Sequence, residues 1–344
     1  MEIQLSKRKF VGNNHPCYII MDVAANHNCD LETAKRLVEV SAKMGADAVK
    51  LQTYTAEGLY SEKTPLFSHT PISPFELIKQ YQHPRGWLPI LKEVADQYNI
   101  DFISSPFDYE AIDLLEEVDV PFYKVASAEI VDLELIAYMA KTEKPIIIST
   151  GMSDMEDIED AVNTILENNN EKIIILHCNT LYPTPVEAVN LKAINTLQTS
   201  FRYPIGFSDH TLGIQISLAA VAIGAKVIEK HITLNRNQKG PDHKFSLEPP
   251  ELKALVQGIR DIEKAMGDGV KKPHPLELEE NYEKGRRSII AAKNIPEGTQ
   301  ITRDMLTVKR PGYGIKPKFI ESLIGKKARS NIEKEQWITW NDLI

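Results

Sequence analysis

Along residues 1–268, short apolar runs alternate with longer stretches in which apolar residues recur every three or four positions. The runs are CYIIMDVAAN, DAVKLQT, DFISSPF, FYKVAS, PIIIST, KIIILHC, PIGFSD and KVIEKHIT, eight in all. Between them lie helical patterns such as LETAKRLVEVSAKMG, where Leu31, Ala34, Leu37, Val38 and Ser41 fall near one face. Strand and helix candidates in strict alternation predict repeated βα units and a parallel sheet. Eight such units predict a (β/α)₈ TIM barrel, α/β in class. One connection, from Tyr54 to Arg85, is too long for a simple βα turn; it predicts a segment folded over the barrel mouth, with a short helix near SPFELIKQY.

The pattern changes after PPELKALVQGIRDIEKAMG. Residues 269–285 are polar and charged and read as a linker between a domain over 1–268 and a small one over 286–344. The small domain contains an internal echo: NIPEGTQITRDML (Asn294 to Leu306) and NIEKEQWITWNDL (Asn331 to Leu343) share Asn-Ile, Ile-Thr and a final Leu. So short a repeat predicts two related hairpin-and-turn units in one β-rich fold, not a solenoid.

Composition narrows the function classes. The chain of 344 residues carries 40 basic and 48 acidic residues, net −8, with no compact Lys/Arg run, which argues against nucleic acid as a partner. No stretch of 18 apolar residues occurs, so no membrane span is expected, and the N-terminal residues lack the apolar core of a secretion signal. Cys17, Cys29 and Cys178 are widely spaced, offering neither a disulfide framework nor a CxxC metal site. A reducing, cytoplasmic location is the expectation.

In a (β/α)₈ barrel, chemistry is built at the C-terminal ends of the strands. Here nearly every predicted strand ends in polar residues: Asn26-His27-Asn28, Lys50 and Gln52, Ser104-Ser105, Lys124 with Ser127 and Glu129, Ser149-Thr150, His177 and Asn179, Ser208-Asp209-His210, and Glu229 with His231. Any one could cap a helix or pair locally; eight in succession point to a site. His210 and His231 end neighbouring strands and can converge on one divalent cation, leaving positions open for water and a substrate oxygen. With no cysteine ligand beside them, Mn²⁺ is preferred over structural zinc, with Mg²⁺ and Co²⁺ as alternatives. Lys50 and Lys124 admit two readings: a Schiff-base lysine, or an anion site. Ser105, Ser127 and Ser149 favour the second, a cradle for a phosphorylated carboxylate.

The motifs ANHN, VKLQT, FISSPF, YKVASAE, STGM, HCNTLYPTP, GFSDHT, EKHITL, GPDHKFSL and KRPGYGIKP, in this order from about residue 7 to the end, resemble those of the sialic acid synthase family. That family joins a barrel that condenses phosphoenolpyruvate with an N-acylated amino sugar to a C-terminal antifreeze-like (SAF) domain. The resemblance implies that Lys50, Gln52, Ser105, Lys124, Ser127 and Ser149 hold phosphoenolpyruvate and that His210 and His231 bind the divalent ion. It implies that Glu129, Tyr182 and Asp242 hold the sugar, and that Arg310 reaches the acyl group from the partner chain of a domain-swapped homodimer. N-acetylmannosamine is the implied acceptor, giving N-acetylneuraminate; a 2,4-diacetamido-trideoxy hexose, giving legionaminate or pseudaminate, is the alternative. One departure stands out: Asp22 occupies the place of a family glutamate, one methylene longer, that is a candidate acid/base group. A Schiff-base aldolase and a non-catalytic sugar-binding protein are the rival classes.

Overall fold

A computed structural model describes residues 1–7, 9–66 and 71–344. The chain divides into two compact units, Met1–Gly267 and Asp268–Ile344.

The first unit opens with a hairpin, β1 (Glu2–Gln4) and β2 (Phe10–Gly12). Eight barrel strands follow: β3 (Tyr18–Asp22), β4 (Ala48–Thr53), β5 (Asp101–Pro106), β6 (Tyr123–Val125), β7 (Ile146–Ser149), β8 (Ile173–Cys178), β9 (Ile205–Asp209) and β10 (Val227–His231). They are all parallel, in the order β5-β4-β3-β10-β9-β8-β7-β6, and β5 packs beside β6 to bring the sheet round nearly to closure. This is the (β/α)₈ barrel that the apolar runs predict. The helix predicted over LETAKRLVEVSAK forms as Leu31–Lys43 behind an Asp30 cap that accepts from Thr33 N.

Side chains alternate across a strand, so each barrel strand has one inward and one outward set. The outward set, including Ile19, Met21, Val49, Phe102, Ile148, Ile175 and Phe207, meets the helices in the main core. The inward set begins apolar. Tyr18, Ile20, Ala48, Ile103, Ile147, Ile174 and Val227 fill the lower barrel, and Ile3, Leu5 and Val11 of the N-terminal hairpin plug its base. Gly206 holds an inward position where two walls meet: a Cβ there would lie 2.5 Å from both Leu176 Cδ2 and Val227 O. Two residues further up most of these strands the inward set turns polar, while on β8 Leu176 keeps it apolar as far as Cys178.

Of the long connection after β4, residues 67–70 lie outside the described residues. The rest carries helices Ala56–Leu59 and Pro74–Tyr81, the latter where SPFELIKQY predicts one. It runs beside the turn after β3, with the Gln80 and Gln82 carbonyls facing Cys29 Sγ at 3.1 and 3.4 Å.

In the second unit, the segment read as a linker contains two short helices, Pro275–Glu279 and Asn281–Gly285. Beyond them β11 (Ser288–Ala291) pairs antiparallel with β12 (Leu306–Lys309), over a core that includes Ile289, Ile295, Ile301, Ile332 and Ile338. The echo in sequence is an echo in structure. Asn331 Oδ1 accepts from Glu297 N at 2.9 Å, and Asn294 Oδ1 accepts from Lys334 N at 2.8 Å, each repeat capping the other's turn. Ile295 and Ile332 bridge the two. The RPGYG segment is tied to this frame, since Ser288 Oγ donates to Pro311 O at 2.6 Å and a Cβ at Gly314 would lie 2.8 Å from Ile338 O.

Substituting Gly206→Ala forces a methyl group between Leu176 and the Val227 carbonyl, so the barrel is expected to lose about 1–3 kcal/mol of stability. Urea denaturation followed by circular dichroism measures the loss, and an unchanged midpoint would show that the wall yields.

Candidate active site

Where the inward set turns polar, a cavity of about 150 Å³ opens at the C-terminal end of the barrel. Asp22, Lys50, Gln52, Lys124, Ser127, Ser149, Tyr182, His210, His231 and Asp242 all line it. Three other residues singled out in the sequence lie elsewhere. Ser105 is fully buried one step round the wall on β5, Glu129 sits two residues beyond Ser127 in the turn after β6, and Arg310 is an exposed residue of the second unit. Ala126, Cys178, Ser208 and Glu229 complete the lining.

Strand register places opposite charges side by side. His231, Asp22 and Lys50 are partners across β10, β3 and β4. Lys50 Nζ lies 3.0 Å from Asp22 Oδ2 and 3.2 Å from Glu229 Oε1. Lys124 Nζ donates to Val125 O at 2.8 Å and stands 3.9 Å from the same Glu229 oxygen. The two lysines are therefore unlike. Burial opposes the charge of both, but Asp22 and Glu229 outweigh it at Lys50, whose pKa is raised. At Lys124 burial wins over Glu229 and brings the pKa down to about 8.

Asp22 has no oxygen to spare. Oδ1 accepts from Ala24 N at 3.0 Å; Oδ2 accepts from Gln52 Nε2 at 2.9 Å, faces Lys50, and lies 3.5 Å from His231 Nε2. Burial raises its pKa, yet Lys50 and then His231 pull the net value down to about 2. So placed, the carboxylate orients its neighbours and does not exchange protons near neutral pH. Ala24, in the turn that follows, sits at φ 44, in the left-handed region that costs an L-residue about 1–2 kcal/mol. Glu229 differs: Oε1 takes Lys50 and Ser208, while Oε2 is buried with no protein partner.

Several other buried groups also lack protein partners. Ser105 Oγ and Ser149 Oγ have none, and Ser127 Oγ accepts Gly151 N at 3.0 Å. Hydroxyls sealed from water without a partner are hydrogen-bonding capacity held for a ligand. Glu129 Oε2 is of the same kind, and burial raises that carboxyl to about 7. Asp242, half-buried in the cavity lining, accepts Ala25 N at 3.0 Å, and desolvation raises it to about 6. Near neutral pH Glu129 can donate as well as accept a hydrogen bond, whereas Asp242 is mainly the carboxylate and accepts.

His210 and His231 stand with ring centroids 5.1 Å apart, enclosed by Tyr182 and Phe245. His210 Nδ1 is 2.9 Å from Asn179 O, which places a proton on Nδ1; burial opposes the charge of the ring, but its hydrogen bond with the Cys178 side chain outweighs burial and raises the pKa. Burial holds His231 down to about 3, hence neutral, and its Nδ1 is buried without a partner. Two imidazoles side by side, one of them neutral with an orphaned nitrogen, suit a divalent cation. Among the described residues no three His, Cys, Asp or Glu side chains converge, so water and substrate would supply the remaining ligands.

Two of the polar strand ends do not belong to the site. His177 points outward, stacked on Phe207 with Nε2 2.7 Å from Val189 O, and its neighbour Cys178 takes the inward place. His27 lies in a 3₁₀ turn past the end of β3, packed against His83 and Trp87. A larger recess of about 790 Å³ lies at the opposite end of the barrel, under the N-terminal hairpin. Four of its five lysines are already engaged: Lys9 with Asp47, Lys92 with Asp96, Lys144 with Glu116 and Lys172 with the Glu143 carbonyl.

Comparison with known proteins agrees with this geometry. Residues 37–271 match the NeuB family and residues 286–344 the SAF domain. N,N'-diacetyllegionaminic acid synthase of Campylobacter jejuni is 44% identical, covering 93% of this chain and 98% of that one. Human N-acetylneuraminate-9-phosphate synthase is 38% identical, covering 98% and 96%. The crystal structure of N-acetylneuraminic acid (sialic acid) synthetase from Leptospira borgpetersenii superposes with a TM-score of 0.75 at 35% identity, over 81% of this chain and 95% of that one. The chain thus belongs to the NeuB family of sialic and related nonulosonic acid synthases, and is a C–C bond-forming transferase.

Proposed function

We propose that this enzyme condenses phosphoenolpyruvate with the open-chain aldehyde of N-acetylmannosamine and water, giving N-acetylneuraminate and phosphate. The observation that carries the reading is one cavity holding two unlike lysines, the partnerless hydroxyl of Ser149 and a pair of imidazoles, one of them with an orphaned nitrogen. A second reading replaces the acceptor with a 2,4-diacetamido-trideoxy hexose, giving legionaminate; the Campylobacter relative at 44% identity favours it.

Lys124 and Lys50 hold the phosphate and carboxylate, with Ser105, Ser127 and Ser149 donating to the remaining oxygens. Holding both substrates in register supplies the entropic part of the acceleration. His210 and His231 would hold a divalent cation, Mn²⁺ for preference, which when bound would supply Lewis-acid polarisation of the acceptor aldehyde. C3 of phosphoenolpyruvate attacks the aldehyde carbon, water adds at C2 and its oxygen becomes the keto oxygen, and phosphate leaves with its bridging oxygen; of the water's two protons one ends on the new hydroxyl and one on phosphate. Glu229, with Oε2 free, is the base within the cavity best placed to take the proton from that water. Asp22 keeps Lys50, Gln52 and His231 aligned. Glu129, Tyr182 and Asp242 hold the sugar, and Arg310 of a second copy reaches its acyl group in a domain-swapped homodimer. Opposite net charges support that pairing: residues 1–267 carry 25 basic and 37 acidic residues, residues 268–344 carry 15 and 11.

Phosphate release from phosphoenolpyruvate, with each acceptor in turn, after chelator treatment and again with added Mn²⁺, tests the proposal. Cation-dependent release with a nine-carbon acid of the N-acetylneuraminate mass is expected. Turnover only with the diacetamido sugar would move the product to legionaminate. Borohydride trapping of Lys50 or Lys124, or full activity in chelator, would sink this mechanism in favour of a Schiff base.

Lys124 sets a pH limit. Its folded pKa is lowered, so the ammonium needed for phosphate is fully present below about pH 8 and is lost as pH rises through that value. The KM for phosphoenolpyruvate is expected to climb above pH 8, approaching tenfold per unit, and Lys124→Met is expected to remove that limb while raising KM throughout. A wild-type profile flat to pH 9.5 would contradict the assignment.

A further inference from the structure

One strongly charged cluster takes no part in the reaction just described. Lys230 lies between Glu229 and His231 in β10, and Asp209 directly precedes His210 at the end of β9. Because alternate side chains point to opposite faces, sending Glu229 and His231 into the barrel sends Lys230 out of it; Ser208 and His210 do the same to Asp209. Lys230 and Asp209 are register partners, Nζ 2.9 Å from Oδ2, with side-chain exposures of 1% and 0%.

The pair is bonded on every side. Lys230 Nζ donates to Thr211 O at 2.7 Å and lies 3.5 Å from Asp209 O. Asp209 Oδ1 accepts Thr211 N at 2.8 Å, and Oδ2 accepts Ser217 Oγ at 2.5 Å. Both residues that flank His210 are thereby tied to an ammonium whose own chain neighbour is His231. A buried ion pair adds little to stability over an apolar pair of similar size. What this one does provide is a fixed relation between two strand ends. The ring of His210 is otherwise held from β8 and the loop after it, through Nδ1 to the Asn179 carbonyl and a hydrogen bond with Cys178, and its own carbonyl accepts Thr184 N at 3.0 Å; none of these contacts reaches β10.

We infer that Lys230 and Asp209 form a clamp, behind the sheet, that fixes the separation of His210 and His231 and so sets the cation affinity of the site. Both are positioning residues, since neither lines the cavity. The inference rests on the reading of His210 and His231 as the cation pair.

The test is Mn²⁺ titration of the chelator-stripped full chain, with the free ion followed by electron paramagnetic resonance, alongside phosphoenolpyruvate binding by calorimetry without metal. Asp209→Asn, Lys230→Met and Ser217→Ala are compared with wild type and with His231→Ala. Asp209→Asn and Lys230→Met are expected to weaken Mn²⁺ about tenfold or more. Ser217→Ala, which removes one hydrogen bond from Oδ2, is expected to weaken it less, about threefold. Phosphoenolpyruvate binding should stay within twofold in all three. If Lys230→Met fails to fold, the two milder variants decide. Tight wild-type binding that persists within twofold in the folded variants overturns the clamp alone, as does a parallel loss of Mn²⁺ and phosphoenolpyruvate, which would mean general loosening. Wild-type binding no tighter than that of His231→Ala overturns the cation reading, and the clamp with it.

Discussion

Everything in the barrel depends on the strict alternation of side chains along eight parallel strands. One parity faces the helices and is apolar nearly throughout. The other faces inward and changes character with height, from the isoleucines and tyrosine of the base to the lysines, carboxylates, serines and histidines of the mouth. The site exists because the same inward column that builds the core continues two residues too far to remain apolar. A one-residue slip of β10 would exchange Glu229 and His231 for Lys230 and remove both the second imidazole and the counter-charge of Lys50.

Charge is tolerated at such depth only because it is balanced. Asp22 and Glu229 answer Lys50 and Lys124, and the four groups sum to zero when all are ionised. The balance is uneven in space. Asp22 and Glu229 both lie within about 3 Å of Lys50, whereas Lys124 has only the edge of Glu229. That leaves one firmly charged lysine and one whose charge a bound anion would secure.

The fold was legible because its strands are short apolar runs at regular spacing, and because Pro, Gly and charged residues separate them. Most of the site was legible for the same reason: Lys50, Lys124 and His231 interrupt runs that would otherwise be wholly apolar. Parity was harder to read. A strand buried on both faces shows no alternation, so LHC gives no sign that Cys178 and not His177 faces the cavity. The sequence EKH hides its division in the same way, with Glu229 and His231 on one side and Lys230 on the other. His27 misled for another reason: β3 ends at Asp22, five residues earlier, and the turn that follows buries the imidazole against Trp87.

The reciprocal asparagines of the second unit bear on how it can come apart. Asn294 caps a turn in the later repeat and Asn331 caps one in the earlier, so neither half keeps its turns if the other melts. Partial fraying from either end is therefore suppressed, and the unit behaves as a single latch that is either shut or undone. The RPGYG loop, fastened to Ser288 on one side and packed against Ile338 on the other, shares that fate. Arg310 is thus carried on a mount without intermediate settings.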